Sequence, residues 1–577
     1  MQNKWQLKPM VSADFFKANF EYDKIISQLL FNRGLIEKKN IELFFNPSKA
    51  DLADPFLFKD MRAAVDLVIK HIRAQNSIVI YGDYDADGVT SSAVLVEVLK
   101  ILKAKIGVYI PGRITEGYGL NKKAIDSLAQ DGVKLIITVD NGIRNQEEVA
   151  YAKSLGLDII ITDHHEPPPD KKSWPDCLII NPKADYNYPY RFLAGVGVAF
   201  KLAKAIIETS KLAENLKLRL EEKILDLVAI GTVADMVSLL GENRILVSLG
   251  LKTINQRQRL GVNELIKAAK INANGDKEIK AWQIGWQIGP RLNSAGRMDH
   301  ANTAYELLIT KDKEEAKQIA VKLNEKNQAR QKLTEEIFEA AKKIVEAKML
   351  DDKILVVVCP DLSETDNRPW PEGVMGLVAG RLCEAYSRPA LVITKFDKEI
   401  KGSGRSIDEF NIIKAVEKLS DNLNKFGGHP AACGFTLKSW EDLAKFTEKI
   451  KALAKKELAG VEITPKILVD AEIELAEIND QLVNNLEKFE PYGEENEKPK
   501  FLSRGLTIMD KTSMGLTGQH IKFRFGAFQA VGFNQAEKFK DLKIGDQVDM
   551  VYYLEFNEFN GRKSVQMKIV DMRKNEL

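Results

Sequence analysis

The sequence has little cysteine: Cys177, Cys359, Cys383 and Cys433 are the only four in 577 residues. No two form a C-x-x-C pair, which argues against structural zinc and against a disulfide framework. No apolar run approaches the ~20 residues that cross a bilayer, so no membrane partner is expected. The first residues, Met1-Gln2-Asn3-Lys4-Trp5, lack the apolar core of a secretion signal, and a cytoplasmic home is the expectation. Neither charge is in excess: 84 basic against 82 acidic residues leave +2, so any basic surface for a polyanion has to be local. What remains reads as soluble and globular, 45% apolar and 29% charged. The length suggests about three or four domains.

What the chain does have is acid in a telling place. Ser77-Ile78-Val79-Ile80 reads as a buried strand and Val89 to Val96 as an amphipathic helix. Between them lies Tyr81-Gly82-Asp83-Tyr84-Asp85-Ala86-Asp87-Gly88. Three carboxylates therefore crowd the carboxyl end of a strand, where open α/β sheets place ligands. Hard divalent cations prefer such oxygen ligands; a solvated acidic turn is the other reading of this loop taken alone. Further strands follow at 106–110, 134–140, 158–163 and 178–180, alternating with helices, which predicts βαβ units and a mostly parallel sheet. The third strand ends in Asp140-Asn141-Gly142 and the fourth in Asp163-His164-His165. In a parallel sheet these ends share one edge. A helix at 222–233 then delivers Asp235, which taken by itself is more often a cap or an ion-pair member.

Carboxylates with imidazole suit Mn²⁺ or Mg²⁺. Five or six such ligands exceed the need of one ion, so two divalent cations with a bridging carboxylate, for which Asp140 is the candidate, are the natural count. Of His164 and His165, one is expected on metal and the other beside the reacting group.

The motifs Asp85-Ala86-Asp87-Gly88, Val139-Asp140-Asn141-Gly142, Asp163-His164-His165 and Val233-Ala234-Asp235 resemble, in order, those of the DHH phosphoesterase superfamily. From about residue 50 onward the chain resembles the RecJ branch, single-strand-specific 5′→3′ exonucleases. The resemblance implies metal-dependent phosphodiester hydrolysis. By position, Asp85 and Asp140 would hold one ion, Asp87, Asp140, His164 and Asp235 the other, and His165 would lie by the reacting phosphate. Two positions depart from the pattern. Tyr81 stands where many relatives have a histidine ligand, which leaves the first ion fewer protein ligands, and Pro371 stands where relatives often have histidine.

Beyond the metal motifs, Pro111-Gly112-Arg113 and the following glycine-rich stretch lie on the same sheet edge. There Arg113 is a candidate phosphate clamp and Tyr118 a candidate base-stacking ring. The segment Ile288 to Met298 joins Gly289-Pro290, read as helix breakers, to Arg291, Asn293 and Arg297. It suits backbone approach to a polyanion and resembles a RecJ motif; His300 after it is read as structural. A long charged helix, 312–348, joins two domains and offers Arg330 and Gln331 as cleft candidates.

A second α/β unit follows, with Ser403, Arg405 and Phe426-Gly427-Gly428-His429. The glycine pair reads either as a backbone nest for an anion or as a tight turn. These segments resemble the DHHA1 domain. That resemblance implies that Ser403 and Arg405, with Arg113, bind the 5′-terminal phosphate and that His429 contacts the scissile one. The lysines of the helix 440–458 are either a solvated face or a DNA contact. Short strands with turns such as Asn560-Gly561 predict an OB-fold β-barrel that binds a single strand.

The expected fold class is α/β, a parallel-sheet DHH domain joined by a long helix to a smaller α/β DHHA1 domain, plus the C-terminal barrel. The expected boundaries are an N-terminal helical segment 1–50, the DHH domain 51–308, the connecting helix 309–350, the DHHA1 domain 351–460 and the OB-fold 461–577. The expected activity is stepwise cleavage of single-stranded DNA to 5′-mononucleotides, in repair and recombination, by a monomer working with a helicase and a single-strand-binding protein. The rivals are a superfamily enzyme for short oligonucleotides, cyclic dinucleotides or pyrophosphate, and a non-enzymatic scaffold on the same fold.

Overall fold

The computed structural model describes the chain except residues 1–2, 19–20, 114, 272–277, 361–368, 397–398, 560 and 576–577. Met1, Gln2 and Asn560, named above, thus lie outside the described residues.

The chain opens with a strand, β1 (Lys4–Leu7), and the helices α1 (Ala13–Ala18), α2 (Lys24–Phe31) and α3 (Lys38–Phe45). The next helix, α4 (Met61–Arg73), leads into the first βα alternation: β2 (Ser77–Tyr81), α5 (Ala86–Ile101), β3 (Lys105–Tyr109), α6 (Lys122–Gln130), β4 (Val133–Val139), α7 (Gln146–Ser154), β5 (Asp158–Thr162) and β6 (Leu178–Ile180). All five strands run parallel in the order β3-β2-β4-β5-β6. Both faces are covered, as near-continuous apolar runs require. Ile78, Ile80, Leu135 and Ile137 pack toward one core, and Val79, Tyr81, Ile136 and Ile161 toward another.

Helices α8 (Gly195–Thr209), α9 (Glu214–Ala234), α10 (Gly241–Asn255) and α11 (Leu260–Ala268) complete this region, with the short α12 (Ala281–Gln283), a π-helical turn at Ile284–Ile288, α13 (Gly289–Met298) and α14 (Asn302–Ile309). Here the structure corrects the sequence reading. Gly289-Pro290 does not break the helix. Pro290 follows directly on the π-helical turn, and the helical run continues through it into α13.

The 36-residue α15 (Lys313–Lys348) is capped by Asp312. Its first half, through Ala316, Ala320 and Leu323, belongs to the first core. Its second half, through Ile337, Phe338 and Val345, belongs to the next. That second unit is β7 (Leu355–Val358), α16 (Glu372–Tyr386), β8 (Ala390–Phe396), β9 (Glu399–Arg405), α17 (Ile412–Glu417), β10 (Leu423–His429), β11 (Ala432–Leu437) and α18 (Trp440–Glu457). Its sheet order is β10-β11-β9-β8-β7, so β10 is an edge strand. Gly427 and Gly428 are therefore neither nest nor tight turn. They pair with Gly434 and Cys433 in an exposed hairpin.

The C-terminal region comprises β12 (Lys466–Val469), β13 (Ala471–Glu472), α19 (Asp480–Glu487), β14 (Phe501–Thr507), β15 (Asp510–Met514), β16 (His520–Phe525), β17 (Phe528–Gly532), β18 (Gln547–Phe559) and β19 (Arg562–Lys574). Seven strands order as β13-β14-β18-β19-β17-β16-β15; β13, β14 and β15 have no counterpart among the strands expected from the sequence. The N-terminal segment is more than helices on approach. Strand β1 pairs in parallel with β12, and Phe15, Ile25, Leu29 and Phe44 share one core with Phe489, Phe501 and Phe523.

The regions are joined by buried arginines. Arg244 of α10 donates to the carbonyls of Phe44 (2.8 Å), Phe489 (2.9 Å) and Glu490 (2.8 Å), and burial holds its pKa down at about 9. No helix among the described residues is long and apolar enough to cross a membrane.

Candidate metal centre and phosphate pocket

The acids converge at the carboxyl edge of the parallel sheet because three neighbouring strands end in aspartates, of which Asp85 and Asp163 also hold the backbone of their turns. Asp85 caps α5, its Oδ1 accepting from Asp87 N (2.9 Å) and Gly88 N (3.1 Å). Asp87 is buried in the first turn and accepts from Gly195 N (2.7 Å) and Val196 N (2.8 Å) at the start of α8. Asp140 takes a left-handed backbone (φ 64°), a conformation uncommon outside glycine and asparagine, directly after β4. The approach is close: a Cβ at Gly195 would lie 2.6 Å from Asp140 Oδ1. Asp163 organises the fourth strand end. It accepts from Ile143 N (3.0 Å) and His164 N (2.7 Å) and sits 2.8 Å from His165 Nδ1.

His164 Nε2 lies 3.2 Å from Asp140 Oδ1, 3.6 Å from Asp235 Oδ2 and 4.0 Å from Asp87 Oδ2. Three overlapping sets bring their ligand atoms within 4.8 Å of one another: Asp83, Asp85 and Asp140; Asp87, His164 and Asp235; Asp140, His164 and His165. Asp140 belongs to two of them. Asp83 Oδ1, Asp140 Oδ1, His164 Nε2 and Asp235 Oδ2 are buried with no hydrogen-bond partner. Buried polar atoms without partners are costly, and four of them in one acid–imidazole cluster fit hard divalent cations. Burial, then the neighbouring carboxylates, pushes Asp83, Asp140 and Asp235 well above the usual range and Asp87 up to about 7. Burial with the His165 charge lowers His164 to about 3. Burial opposes ionisation of Asp163, but the His165 hydrogen bond outweighs it and brings Asp163 down to about 2.

Asp83 was named in the loop but left out of the inferred ligand set, and its burial in the cluster is what the sequence could not show. Tyr81 is fully buried. Its hydroxyl donates to Gly119 O (3.1 Å) and accepts from Asn121 Nδ2 (3.1 Å), so its polar atom is taken up by the loop above. Tyr118 anchors its hydroxyl on Asp140 O (2.9 Å) while its ring stays half exposed. Pro371 only precedes α16, as the cap position.

A second cluster is cationic. The charges of Arg113, Arg330 and Arg405 bear on Arg297, and burial with these neighbours lowers it to about 10. Among the described residues none of the four forms an ion pair. Ser403 and Arg405 share one face of β9 against Gly376 of α16. A Cβ there would lie 3.1 Å from Ser403 Oγ and from Arg405 Nη2. Arg113 lies over the Tyr84 ring at 5.0 Å.

Not every candidate joins. Arg291 donates to Asn324 Oδ1 (3.0 Å) and Gln287 O (2.7 Å), tying α13 to α15. Asn293 accepts from Ala86 N (2.7 Å) and so holds the acidic loop. Exposed His429 carries the β10 hairpin toward the metal side: partial burial, then the charges of His165 and Lys183, hold its pKa down. Lys183 was missed. It follows Asn181, which donates to His165 O (3.0 Å), and its Nζ lies 3.4 Å from Glu166. Of the α18 lysines, Lys451 pairs with Asp352 at 2.8 Å.

A parallel α/β sheet presenting a carboxylate–histidine cluster, with arginines free of carboxylate partners gathered from it, from α15 and from a second domain, defines a metal-dependent phosphoesterase of the DHH class. The profile described as DHH family, N-terminal domain, matches residues 77–232; DHHA1 domain matches 351–456; RecJ OB domain matches 469–571. The single-stranded-DNA-specific exonuclease RecJ of Bacillus subtilis is 38% identical over 557 residues, 95% of this chain and 67% of the relative. That of Haemophilus influenzae is 32% identical, over 90% of this chain and 91% of the relative. The Mn²⁺ complex of RecJ from Thermus thermophilus superposes with a TM-score of 0.83 at 28% identity, covering 100% of this chain and 80% of the other. The chain belongs to the RecJ family.

Proposed function

We propose that the chain hydrolyses single-stranded DNA stepwise from a 5′ end and releases 5′-mononucleotides. The observation that carries this is the juxtaposition of two clusters: four unpartnered ligand atoms among buried acids and imidazole, and four guanidinium groups without carboxylate partners. The first suits divalent cations and the second a phosphate. The RecJ structures that match were determined with Mn²⁺ and with Mg²⁺.

Asp83, Asp85 and Asp140 would hold one ion and Asp87, Asp140, His164 and Asp235 the other. Asp83 offsets the ligand that Tyr81 does not supply. When bound, such ions polarise the phosphate and lower the pKa of water. His165, with Nδ1 held on Asp163, presents Nε2 to the reacting phosphate; burial opposes its charge, but Asp163 raises its pKa and so favours the imidazolium, the form that carries a proton on both ring nitrogens. Arg113, Ser403, Arg405 and Arg297 grip the terminal phosphate and set the cut one nucleotide in. Tyr118 holds the Asp140 turn and offers its exposed ring edge to the first base. Gly427, Gly428 and His429 bring the DHHA1 hairpin over the scissile phosphate. The barrel holds the trailing strand. The domain boundaries given above, monomeric state, cytoplasmic residence and work beside a helicase and a single-strand-binding protein belong to the same proposal.

The test is digestion of an end-labelled single strand with Mn²⁺ or Mg²⁺, by the wild-type chain and by Asp140→Ala. Mononucleotides released from the 5′ end by the wild type alone support the reading. Release from the 3′ end, or near-normal turnover in Asp140→Ala with an unchanged melting curve, refutes it.

A further inference from the structure

Trp282 and Trp286 are 59% and 70% exposed, and among the described residues neither meets another ring or a cation. Two large apolar surfaces left in water beside each other mark a binding site more often than chance exposure does. Both line a cleft of about 1630 Å³ between α9, α10 and α15 on one side and the barrel on the other. A π-helical turn carries Trp286, and such turns occur often at functional sites. The same helical run continues into α13, whose Asn293 holds the acidic loop and whose Arg297 sits in the guanidinium cluster. Arg330 belongs to both places. It bears on Arg297, and it lines the cleft. The barrel wall adds Tyr553 and Lys568.

Aromatic faces interleaved with cations, leading away from a phosphate site, match a strand whose bases stack while its backbone is neutralised. We infer that Trp282 and Trp286 form a stacking platform for bases 3′ of the cleaved nucleotide, with Arg330 and Lys568 facing the backbone. This rests on the nuclease reading above and adds a base-independent grip between the catalytic edge and the barrel. It predicts that a short oligonucleotide, ending before the cleft, is held less tightly than a long one.

Two measurements test it on the full chain. In EDTA, which stops hydrolysis, a 30-nucleotide oligothymidylate should quench the indole fluorescence and a trimer should not. The double variant W282F/W286F should lose that quench yet keep binding the long strand, since phenyl rings still stack. With Mn²⁺, W282A/W286A should raise KM for the 30-mer by about 5- to 150-fold per lost base contact. The trimer should change at least 5-fold less, and kcat on the 30-mer should hold. An equal loss on both lengths, an unchanged KM for the 30-mer, or a quench that survives W282F/W286F overturns the platform; so does a cleft that captures a protein while leaving DNA affinity untouched. The binding arm needs no turnover, so a failure of hydrolysis in the wild type would count against the nuclease reading and leave the platform to the fluorescence.

Discussion

Stripped of ions, the chain should become less stable as pH rises from 5 to 8, and Mn²⁺ should restore more at pH 8 than at pH 5. Asp87 moves from 3.8 to about 7 on folding because it is buried beside Asp85. A group whose pKa rises on folding binds more protons folded than unfolded between those values. Its stabilising effect is complete below 3.8 and is lost as pH climbs through 7. Three pK units at 1.36 kcal/mol each amount to about 4 kcal/mol at pH 8, of which about 1.5 is already lost at pH 5, leaving about 2.5–3 across this window. Asp83, Asp140 and Asp235 shift the same way. His164, lowered to about 3, works in the opposite sense as pH passes its unfolded value, so one imidazole offsets one carboxylate and the remaining acids set the sign. Asp163, near 2, has finished titrating below pH 5. A divalent cation offsets both the burial and the mutual repulsion that raised the acids. For a domain of 150–250 residues, about 2.5–3 kcal/mol corresponds to roughly 5–12 °C. The assay is thermal melting in EDTA and in Mn²⁺ at both pH values, following the transition the ion moves. Asp87→Asn in EDTA should flatten the decline between pH 5 and 8 by about 2.5–3 kcal/mol. A melting temperature in EDTA that rises from pH 5 to 8, with equal Mn²⁺ increments at both, refutes the reasoning.

Arg405→Ala should cut the preference for a 5′-phosphate over a 5′-hydroxyl by about 10- to 100-fold, since charge-assisted hydrogen bonds are worth about 1.5–3 kcal/mol; competition between the two ends measures it. Gly195→Ala puts a methyl group 2.6 Å from Asp140 Oδ1. It should weaken Mn²⁺ binding by titration and cost about 1–3 kcal/mol in denaturant melts; wild-type affinity would remove the close approach from the account. Arg244→Ala strands buried carbonyls on two chain segments and should cost about 3–5 kcal/mol at that junction. Limited proteolysis should then release the C-terminal region sooner, and unchanged fragments would contradict this.

The sheet and most of the site were legible because the strands are continuous apolar runs and each ends in its acid. What was not legible had physical reasons. Strand β1, Lys4–Leu7, is four mostly exposed residues whose partner, β12, is distant in sequence. Gly289-Pro290 looked like a breaker because the π-helical turn before it is not written in any periodicity. Gly427-Gly428 looked like a loop because glycine on an edge strand leaves no alternation to read. Arg291 and Arg297 are six positions apart on one helix. Only the neighbours, Asn324 for one and Gly373 for the other, separate a tie between helices from a member of the phosphate pocket.

Phe15, Ile25, Leu29 and Phe44 pack into the barrel's own core, against side chains translated hundreds of codons later. A ribosome must therefore finish almost the whole polypeptide before Phe15, Leu29 and Phe44 find their shelter, and these residues are natural clients for a chaperone in the interval. Deleting the barrel alone would leave a sticky stump at the opposite terminus. A minimal catalytic fragment should be trimmed at both ends or at neither.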